Sequence, residues 1–229
     1  MPDLWTCNVG TVDYRAAVDL QEHLRARVIA GDLPDLLLLL EHPPVYTLGR
    51  RSEPGDLPFG EDHWRARGID VVRTQRGGKL TYHGPGQLVG YPIMRTTDVV
   101  AFLRTMERAI VAALAEEGVA ARGRDHEGPA YTGVWVEDRK IASIGVHLSK
   151  GVTAHGFAVN VDNDVTPFHQ VTACGLPDVR MTSVALETGR ADGLACFRKR
   201  MAYAYAQAHG MLQLIVTPAR LEAPIPSMA

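Results

Sequence analysis

Residues that could carry chemistry are concentrated in one glycine-rich stretch of the chain. The stretch covers residues 76–92 and reads RGGKLTYHGPGQLVGYP. Its five glycines allow the backbone to take positive φ or to approach a ligand closely, and two cations, two hydroxyls and an imidazole stand among them. A plain surface loop would be polar but would not need a tyrosine and a histidine between glycines. We therefore predict that this stretch lines a binding site.

The glycine spacing fits neither of the common phosphate-binding motifs. A P-loop requires GxxxxGK[ST] between a strand and a helix, but Gly78-Lys79 is followed by leucine and a predicted strand. A dinucleotide-binding fingerprint requires GxGxxG, and here the GPG turn reaches its next glycine, Gly90, one residue too late. The stretch is therefore not predicted to bind a nucleotide.

Lys140 is a second candidate, because it begins a predicted strand. The alternation of that strand puts Lys140 on one side with Ala142, Ile144 and Val146. A lysine on the more apolar side of a strand indicates partial burial. The alternative is that the side chain extends to solvent from the start of the strand.

Cys174 is a third candidate, in a tight loop where Gly175 supplies a flexible backbone N–H beside the sulfur. A lone cysteine is commonly a small buried hydrophobe, and a cysteine that ionises is a nucleophile, so both interpretations stay open. Cys7 and Cys196 fit the first of them. The three cysteines have no framework spacing, which argues against a disulfide scaffold.

A predicted strand over residues 153–161 has one face of unusually small residues. His155 and Phe157 belong to the larger, core-like side, and Gly156 and Ala158 belong to the small one. Such a face either leaves room for an apolar ligand or accepts the close packing of a helix.

The surrounding periodicity predicts one α+β domain over residues 1–229, with a mixed, largely antiparallel sheet flanked by helices and a loosely ordered tail from about 218. The predicted helices cover residues 12–30, 61–67, 99–117 and 191–209. The predicted strands cover residues 36–41, 45–48, 69–74, 81–83, 87–93, 131–136, 140–147, 153–161 and 211–216.

Composition excludes several classes of function. A formal net charge of −2 gives no reason to expect nucleic acid, and no apolar run is long enough to span a membrane. No signal peptide is visible, so a cytoplasmic location is expected. The sequence contains no HExxH and no cysteine pair with metal-ligand spacing, so we expect neither a structural nor a catalytic metal.

Four sequence blocks together resemble one family. LLLLEHPPVYTLGR, RGGKLTYHGPGQLVGYP, RKIASIGVHLSKGVTAHGFAVNV and the CG loop occur in the order found in lipoyl(octanoyl) transferases. The resemblance implies a fold similar to the catalytic domains of biotin and lipoate protein ligases, and no cofactor. It implies octanoyl transfer from octanoyl-acyl carrier protein to a lysine of lipoyl domains, in 2-oxoacid dehydrogenase complexes and the glycine cleavage H protein. One departure is Ala173, where the family commonly has proline.

The resemblance also implies roles for individual residues. Cys174 corresponds to the nucleophile that carries the acyl group as a thioester, and Lys140 to the lysine beside it. His155 and Gly175 would support them. The residues implied to line the acyl groove are Arg76, Gly77, Gly78, Lys79, Leu80, Thr81, Tyr82, His83, Ser143, Ile144, Gly145, Gly156, Phe157 and Ala158.

Three other functions remain open from the sequence. A lipoate or biotin protein ligase would share the fold and a lysine but would activate its acid with ATP, for which a thiol nucleophile is not needed. A cysteine thioesterase would transfer the acyl group to water. A non-catalytic acyl or carrier-protein binding module would keep the groove without the chemistry.

Overall fold

The computed structural model describes residues 1–176 and 179–221 of the chain. The side chain of Cys174 lies outside the described part, as do residues 222–229 of the tail that we predict to be loosely ordered. The described piece of that tail, Pro218–Leu221, is a 3-10 turn whose last residue is buried.

The strands in the described ranges are β1 (Asp3–Thr11), β2 (Asp35–Glu41), β3 (Val45–Leu48), β4 (Asp70–Arg73), β5 (Leu80–His83), β6 (Gln87–Ile93), β7 (Arg122–Gly123), β8 (Gly133–Val136), β9 (Arg139–Ser149), β10 (Val152–Asn160), β11 (Arg180–Met181) and β12 (Leu212–Ile215). The α-helices are α1 (Tyr14–Ala30), α2 (Glu61–Arg65), α3 (Val99–Ala115), α4 (Val184–Thr188) and α5 (Leu194–Ala208). Short 3-10 turns lie in the connections.

Most of these strands form one mixed sheet. Its order is β12-β1-β2-β6-β10-β9-β8-β7, and β11 pairs with β9 from outside this path. Strand β1 is parallel to both of its neighbours, whereas β2, β6, β10, β9 and β8 are antiparallel in succession. A smaller sheet has the order β4-β3-β5. The predicted α+β class with a largely antiparallel sheet is confirmed.

Helices cover both faces of the main sheet and create separate apolar cores. Core 1, between the sheet and helices α3 and α5, includes Leu88, Ile110, Ile141, Phe157, Met201 and Tyr205. Core 2, between the opposite face and α1, includes Leu24, Leu38, Val89, Tyr91 and Ala158. Core 3 surrounds the smaller sheet and includes Tyr46, Trp64, Leu80, Tyr82 and Phe168. No helix of the described residues is long and apolar enough to cross a membrane.

Helices α1 and α3 begin where the sequence provides a capping aspartate. The Asp13 carboxylate accepts hydrogen bonds from the first amides of α1, and Gly31, with φ of 88°, ends that helix. The Asp98 carboxylate accepts a hydrogen bond from the Ala101 N–H at the start of α3. These caps explain why the helices are the elements best predicted from the sequence.

Strands β1, β7 and β11 and helix α4 are missing from the sequence-based prediction, and β7 and β11 have only two residues each. Strand β1 carries polar Asn8 and a register shift near Gly10, so its alternation is too irregular to stand out. Its apolar side chains are nevertheless buried, Leu4 in core 1 and Cys7 in core 2. Helix α4 has only five residues, which is less than two turns and too short for helical periodicity to be detected.

An extra residue in β9 changes which face Lys140 occupies. Trp135 pairs with Lys140 and Val134 pairs with Ala142, so Ile141 is a bulge with no partner of its own. Ile141 and Ala142 both pack into core 1, whereas Lys140 lies on the other face with Ser143. The predicted grouping of Lys140 with Ala142 is therefore wrong, because alternation assumes an uninterrupted strand.

A second break in alternation occurs in β10. His155 has a φ of 57°, in the left-handed region that a non-glycine residue seldom adopts. Phe157 packs into core 1, with its ring stacked 5.9 Å from that of Tyr205, while the His155 ring lies 6.2 Å from that of Tyr91 on the core 2 face. The predicted grouping of His155 with Phe157 on one side is wrong for this reason.

The pairing of β6 with β10 depends on Gly90, which lies opposite Phe157. A Cβ at this position would overlap the Phe157 ring, so we expect Gly90→Ala to lower the free energy of unfolding by about 1–3 kcal/mol. Urea denaturation followed by circular dichroism measures this change. The matched control is Gly55→Ala, where a new Cβ would meet nothing within 4 Å and stability should stay within about 0.5 kcal/mol. Equal stability of the two variants would contradict the packing argument.

Candidate active site

The glycine-rich stretch and strands β9 and β10 enclose a cavity of about 270 Å³. This is near the lower end of the ~300–1,000 Å³ typical of ligand pockets, so the cavity suits a small ligand. Its lining includes these residues that the sequence nominated: Arg76, Gly77, Gly78, Lys79, Leu80, Thr81, His83, Lys140, Ser143, Ile144, Gly145, His155, Gly156, Phe157 and Ala158. Most of the nominated residues are therefore neighbours in space.

Tyr82 is the nominated groove residue that the structure places elsewhere. Successive side chains of β5 point to opposite sides, so Thr81 and His83 reach the cavity while Tyr82 points away. Its ring lies 5.5 Å from that of Tyr46 and 5.6 Å from that of Phe168, in core 3. Its position in the groove is thus a wrong prediction, since it belongs to the packing that supports β5.

Gly77 and Gly145, which both line the cavity, allow two backbone segments to lie against each other. The Gly77 N–H donates to the Val146 carbonyl at 3.0 Å, which joins the glycine-rich stretch to β9. A Cβ on Gly145 would come within 2.8 Å of the Gly77 carbonyl oxygen, so a larger residue would push this wall outward. The glycines are therefore explained by close approach of two chain segments, and the cavity lies where those segments diverge.

The small face of β10 has both of the roles that the sequence left open. Ala158 packs in core 2 beneath α1, which also contacts the strand. Gly156 and Ala158 also line the cavity. A Cβ on Gly156 would overlap the Gly90 carbonyl, which explains why the position is glycine whatever the cavity holds.

Arg76 anchors the glycine-rich stretch from inside. Its Nε donates to the Thr47 Oγ1 at 3.1 Å, and its Nη2 donates to the same oxygen at 2.7 Å and to the Thr47 carbonyl. The guanidinium is buried and also lines the cavity. Arg76 therefore fixes β3 and the stretch together and adds a permanent positive charge beside the cavity.

Two lysines line the cavity in very different environments. The Lys79 ammonium lies 3.1 Å from the Glu53 carboxylate and 3.8 Å from that of Asp56. Lys140 is only 2% exposed, and its Nζ lies 5.1 Å from the centre of the Trp135 ring. No carboxylate of the described residues lies within 4.0 Å of the Lys140 Nζ. Burial of Lys140, the first of the two interpretations from sequence, is confirmed.

The chain segment around Cys174 passes both lysines. Its backbone forms the 3-10 turn Ala173–Gly175, where Gly175 has φ of 70° and a Cβ would come within 2.5 Å of the Lys79 Cδ. After residues 177–178, strand β11 pairs with the start of β9, and the Thr182 N–H donates to the Lys140 carbonyl at 3.0 Å. The position of the Cys174 sulfur lies outside the described residues.

Buried aromatic and imidazole rings form a cluster of which Tyr14 and His83 line the cavity, while His42 lies behind them. The Tyr14 ring lies 5.1 Å from that of His42 and stacks 5.8 Å from that of His83, and the rings of the two histidines are 5.5 Å apart. His42 is doubly bonded, through Nδ1 to the Val12 carbonyl at 2.6 Å and through Nε2 to the Tyr91 hydroxyl at 2.7 Å. The imidazoles of this group are therefore held by packing and by hydrogen bonds.

Burial keeps these imidazoles neutral. It lowers the pKa of His42 to about 4 and that of His155 to about 3, and the Arg76 charge lowers the latter further. Burial, and then the neighbouring His42, hold the pKa of His83 well below its usual range. At neutral pH each of these rings therefore carries one N–H proton, and its other nitrogen has a lone pair.

The sequence-based nomination missed several residues that line the cavity. They are Tyr14, Arg51, Tyr91, Val99, Leu103, Pro129, Ala130, Thr132 and Val146. A signal existed for Tyr14, whose hydroxyl is out of place in an otherwise apolar stripe of α1. No comparable signal marks the others, because they reach the cavity through long-range packing. Among the described residues no cluster of three histidine, cysteine or carboxylate side chains could hold a metal ion.

Comparison with known proteins identifies the family. The model of the lipoyl protein ligase A/B catalytic domain matches residues 13–206. An octanoyltransferase of Rubrobacter xylanophilus is 43% identical over 205 residues, which cover 88% of this chain and 91% of that protein. An octanoyltransferase of Solibacter usitatus is 49% identical over 172 residues, covering 73% of this chain and 76% of that protein.

A solved bi-partite lipoate protein ligase from Thermoplasma acidophilum has a TM-score of 0.74 at 16% identity, with 97% of this chain and 89% of that chain covered. At this level of identity the likeness establishes the fold, which is that of lipoate protein ligase catalytic domains. The sequence relatives establish more. The chain belongs to the octanoyltransferase family, whose activity is an acyl transfer in protein lipoylation. The expected family, fold and class of enzyme are thus confirmed.

The neutral imidazoles predict how stability depends on pH. The unfolded chain binds protons on His42, His83 and His155 below pH about 6.5, whereas the folded chain does not until the pH reaches about 4 for His42 and about 3 for His155. The free energy of unfolding should therefore be level above pH 6.5 and fall as the pH is lowered from there. The limiting slope is about 1.4 kcal/mol per pH unit for each histidine.

Urea denaturation at intervals between pH 8 and 5 measures this slope. In His42→Gln the slope of the free energy of unfolding against pH should decrease by the contribution of one histidine. One difference in proton binding between the unfolded and folded chains is then removed. A slope equal to that of the unsubstituted protein would show that His42 is not held neutral.

Proposed function

We propose that this enzyme transfers octanoyl groups from octanoyl-acyl carrier protein to a lysine of lipoyl domains through a thioester on Cys174, assisted by Lys140. The observation that carries the proposal is the environment of Lys140, a nearly enclosed amine on the cavity wall with no carboxylate partner among the described residues. The segment that carries Cys174 ends in hydrogen bonds to the Lys140 strand. A thiolate would provide the anion that this ammonium lacks.

The first half-reaction loads the enzyme. The Cys174 thiolate attacks the carbonyl carbon of the octanoyl thioester, and the bond from that carbon to the carrier sulfur breaks. The Lys140 ammonium gives its proton to the departing carrier thiolate. The products are the octanoyl-cysteine enzyme, a free carrier thiol and a neutral Lys140. One difficult transfer is thereby divided into two accessible steps, as in other covalent catalysis.

Ionisation of Cys174 needs a nearby cation. A free cysteine with a pKa of about 8.5 is only a few per cent thiolate at neutral pH. An ammonium at about 4 Å favours the thiolate by up to ~4 kcal/mol at an effective dielectric constant near 20, before desolvation is subtracted.

The described cysteines support Cys174 as the nucleophile. Cys7 is enclosed in core 2, where burial raises its pKa to about 11. Cys196 is exposed on α5, and neither of these thiols lines the cavity. The Gly175 N–H, in the same turn as Cys174, is a candidate donor to the oxyanion that forms during attack.

The cavity is suited to a short acyl chain. Apolar side chains of Ile144, Phe157 and Leu103 line it, and so do Gly145 and Gly156, which carry no side chain. The proposed partners are octanoyl-acyl carrier protein as donor, and as acceptors the lipoyl domains of 2-oxoacid dehydrogenase complexes and the glycine cleavage H protein. These finer assignments, and a cytoplasmic location, follow the resemblance of the sequence to its family.

Intact-mass analysis tests the nucleophile directly. After incubation with octanoyl-acyl carrier protein and no ATP, we expect one octanoyl adduct, which Cys174→Ser abolishes as a transferable thioester. The matched control is Cys196→Ser, which removes an exposed thiol and should keep the adduct. Addition of a lipoyl domain should then move the octanoyl group to that domain.

Each rival function has its own outcome in this experiment. A strict requirement for ATP would indicate a ligase, and release of free octanoate in place of transfer would indicate a thioesterase. An adduct that survives in Cys174→Ser and is lost in Cys196→Ser would show that Cys196 is the nucleophile and would contradict our proposal. Absence of any adduct on the intact enzyme would leave only acyl binding.

The role of Lys140 is tested by thiol alkylation at pH 7. In a Cys196→Ser background, which removes the exposed competing thiol, Lys140→Met should slow alkylation of Cys174 by roughly tenfold or more because less of it is thiolate. Lys199→Ala, on the exposed side of α5, should leave the alkylation rate unchanged. An unchanged rate in Lys140→Met would remove its role in ionising the cysteine.

A further inference from the structure

The proposed transfer needs two proton acceptors in its second half-reaction, and Lys140 can be only one of them. The incoming lysine arrives as an ammonium and leaves as an amide N–H, so it loses two protons. Lys140, neutral after the first half-reaction, takes one and returns to its starting ammonium. We propose that Nε2 of His83 accepts the other proton when the amine attacks the Cys174 thioester. This inference rests on the proposed function.

A chain of hydrogen bonds fixes which nitrogen of His83 is free. Asn160 donates through Nδ2 to the Thr182 carbonyl at 3.0 Å, so its Oδ1 is the acceptor that Gln87 Nε2 meets at 2.9 Å. Gln87 Nε2 also donates to the Tyr82 carbonyl at 3.2 Å. Both amides are oriented by backbone carbonyls, which can only accept.

The remaining oxygen of Gln87 determines the tautomer of His83. Gln87 Oε1 lies 2.7 Å from His83 Nδ1, and an amide oxygen only accepts, so Nδ1 carries the proton. The neutral ring therefore has its lone pair on Nε2. No hydrogen-bond partner for Nε2 is found among the described residues, and the atom is not fully enclosed. Since His83 lines the cavity, we take this lone pair to open into it.

The groups packed around His83 keep it in the basic form. Tyr14 of α1 stacks on the ring, His42 meets it from the connection after β2, and Arg76 and His155 act on it through their charges or potential charges. The neighbouring cation and imidazoles oppose a second positive charge. Burial and these neighbours lower its pKa, so the lone pair is available at neutral pH.

The same hydrogen bonds link His83, at the end of β5 in the smaller sheet, to the end of the main sheet where Lys140 lies. Thr182 joins them, because its carbonyl accepts from Asn160 and its N–H donates to the Lys140 carbonyl. Gln87 begins β6 and pairs with Asn160 at the end of β10, while Lys140 lies at the beginning of β9. Both nitrogen groups line one cavity, on the strand ends that the Cys174 segment crosses.

Two proton transfers accompany amide formation in the second half-reaction. Lys140 first removes one proton from the acceptor ammonium, and the neutral amine attacks the thioester carbon to give a tetrahedral intermediate with a positively charged nitrogen. His83 Nε2 takes a proton from that nitrogen while the carbon–sulfur bond breaks and the electron pair returns to Cys174. The products are the amide, a thiolate paired with the Lys140 ammonium, and an imidazolium. Its low pKa makes His83 release the proton to water.

His155, which also lines the cavity, does not fit this role. Its Nε2 already lies 3.3 Å from the Thr74 hydroxyl, and its Nδ1 is enclosed with no hydrogen-bond partner. A nitrogen that is sealed from the cavity has no route to an incoming amine. His83 is therefore preferred on geometry, although both rings are neutral.

Single-turnover kinetics separate the two half-reactions. His83→Gln should slow formation of the octanoyl-cysteine adduct far less than it slows transfer, as followed by intact mass with octanoyl-acyl carrier protein. Transfer from that preformed adduct to a lipoyl domain should slow by about 100-fold or more, the lower end of what a general base contributes. In His83→Ala, added imidazole should restore part of the transfer rate. The residual rate of either variant should rise with pH, as hydroxide replaces the missing base.

The matched control is His42→Gln, which changes another buried neutral histidine of the same group whose two nitrogens are both bonded. It should not slow transfer selectively relative to loading. Equal transfer rates in His83→Gln and the unsubstituted enzyme would overturn the inference alone. A parallel loss of both half-reactions, or failure of imidazole to rescue, would make His83 a structural residue and also overturn it. Absence of an adduct on the unsubstituted enzyme would overturn the proposed function and this inference with it.

Discussion

The Lys140 ammonium is enclosed with no carboxylate partner among the described residues, and this is the constraint on which the candidate site depends. Removing a charge from water costs several kcal/mol unless a partner compensates for it, yet Lys140 is almost fully enclosed. The protein holds the side chain in place from the neighbouring strand, because a Cβ on Gly133 would come within 2.7 Å of the Lys140 Cε and the Trp135 ring faces the ammonium. A quadrupole interaction of this kind offsets only part of the cost. The arrangement is thus stable only if a further anionic or lone-pair partner is at hand, which is what a catalytic thiolate would supply.

The contrast with Lys79 explains why one lysine suits chemistry and the other does not. The Lys79 ammonium is compensated by two carboxylates and lies beside the Gly175 turn, where its aliphatic part packs against the backbone. Its charge therefore contributes to holding the turn in position. Lys140 has no carboxylate partner among the described residues, so its ammonium is not already paired in the part of the chain that the structure describes. In the sequence both residues are lysines close to glycines, and only the side chains that surround them in the structure distinguish them.

The sequence predicts most helices and strands well, but it predicts poorly on which face of a strand a side chain lies. The reason can be identified. Helix α1 follows from its apolar stripe and the Asp13 cap, because these are local features. The face of Lys140 depends on the bulge at Ile141, which exists only through pairing with β8. The face of His155 depends on a left-handed residue inside a strand. A period of two residues cannot reveal a place where the period is broken, and both breaks occur where the cavity needs a side chain turned inward.

The chemistry available to His83 is harder to predict from the sequence than that available to Lys140. A lysine is a cation by its type, but whether a histidine offers Nδ1 or Nε2 is decided by its partners. For His83 that decision passes through Gln87 and Asn160 to the carbonyl of Thr182, on three segments far apart in the chain. Fold likeness does not decide it either, since one fold serves different reactions and the site must be argued from its own atoms. In the proposed transfer the thioester would supply the driving force for amide formation, so the protein would have to receive two protons in order, which requires two bases. An amine that starts as an ammonium and an imidazole held neutral by burial and a neighbouring cation meet this requirement in one cavity.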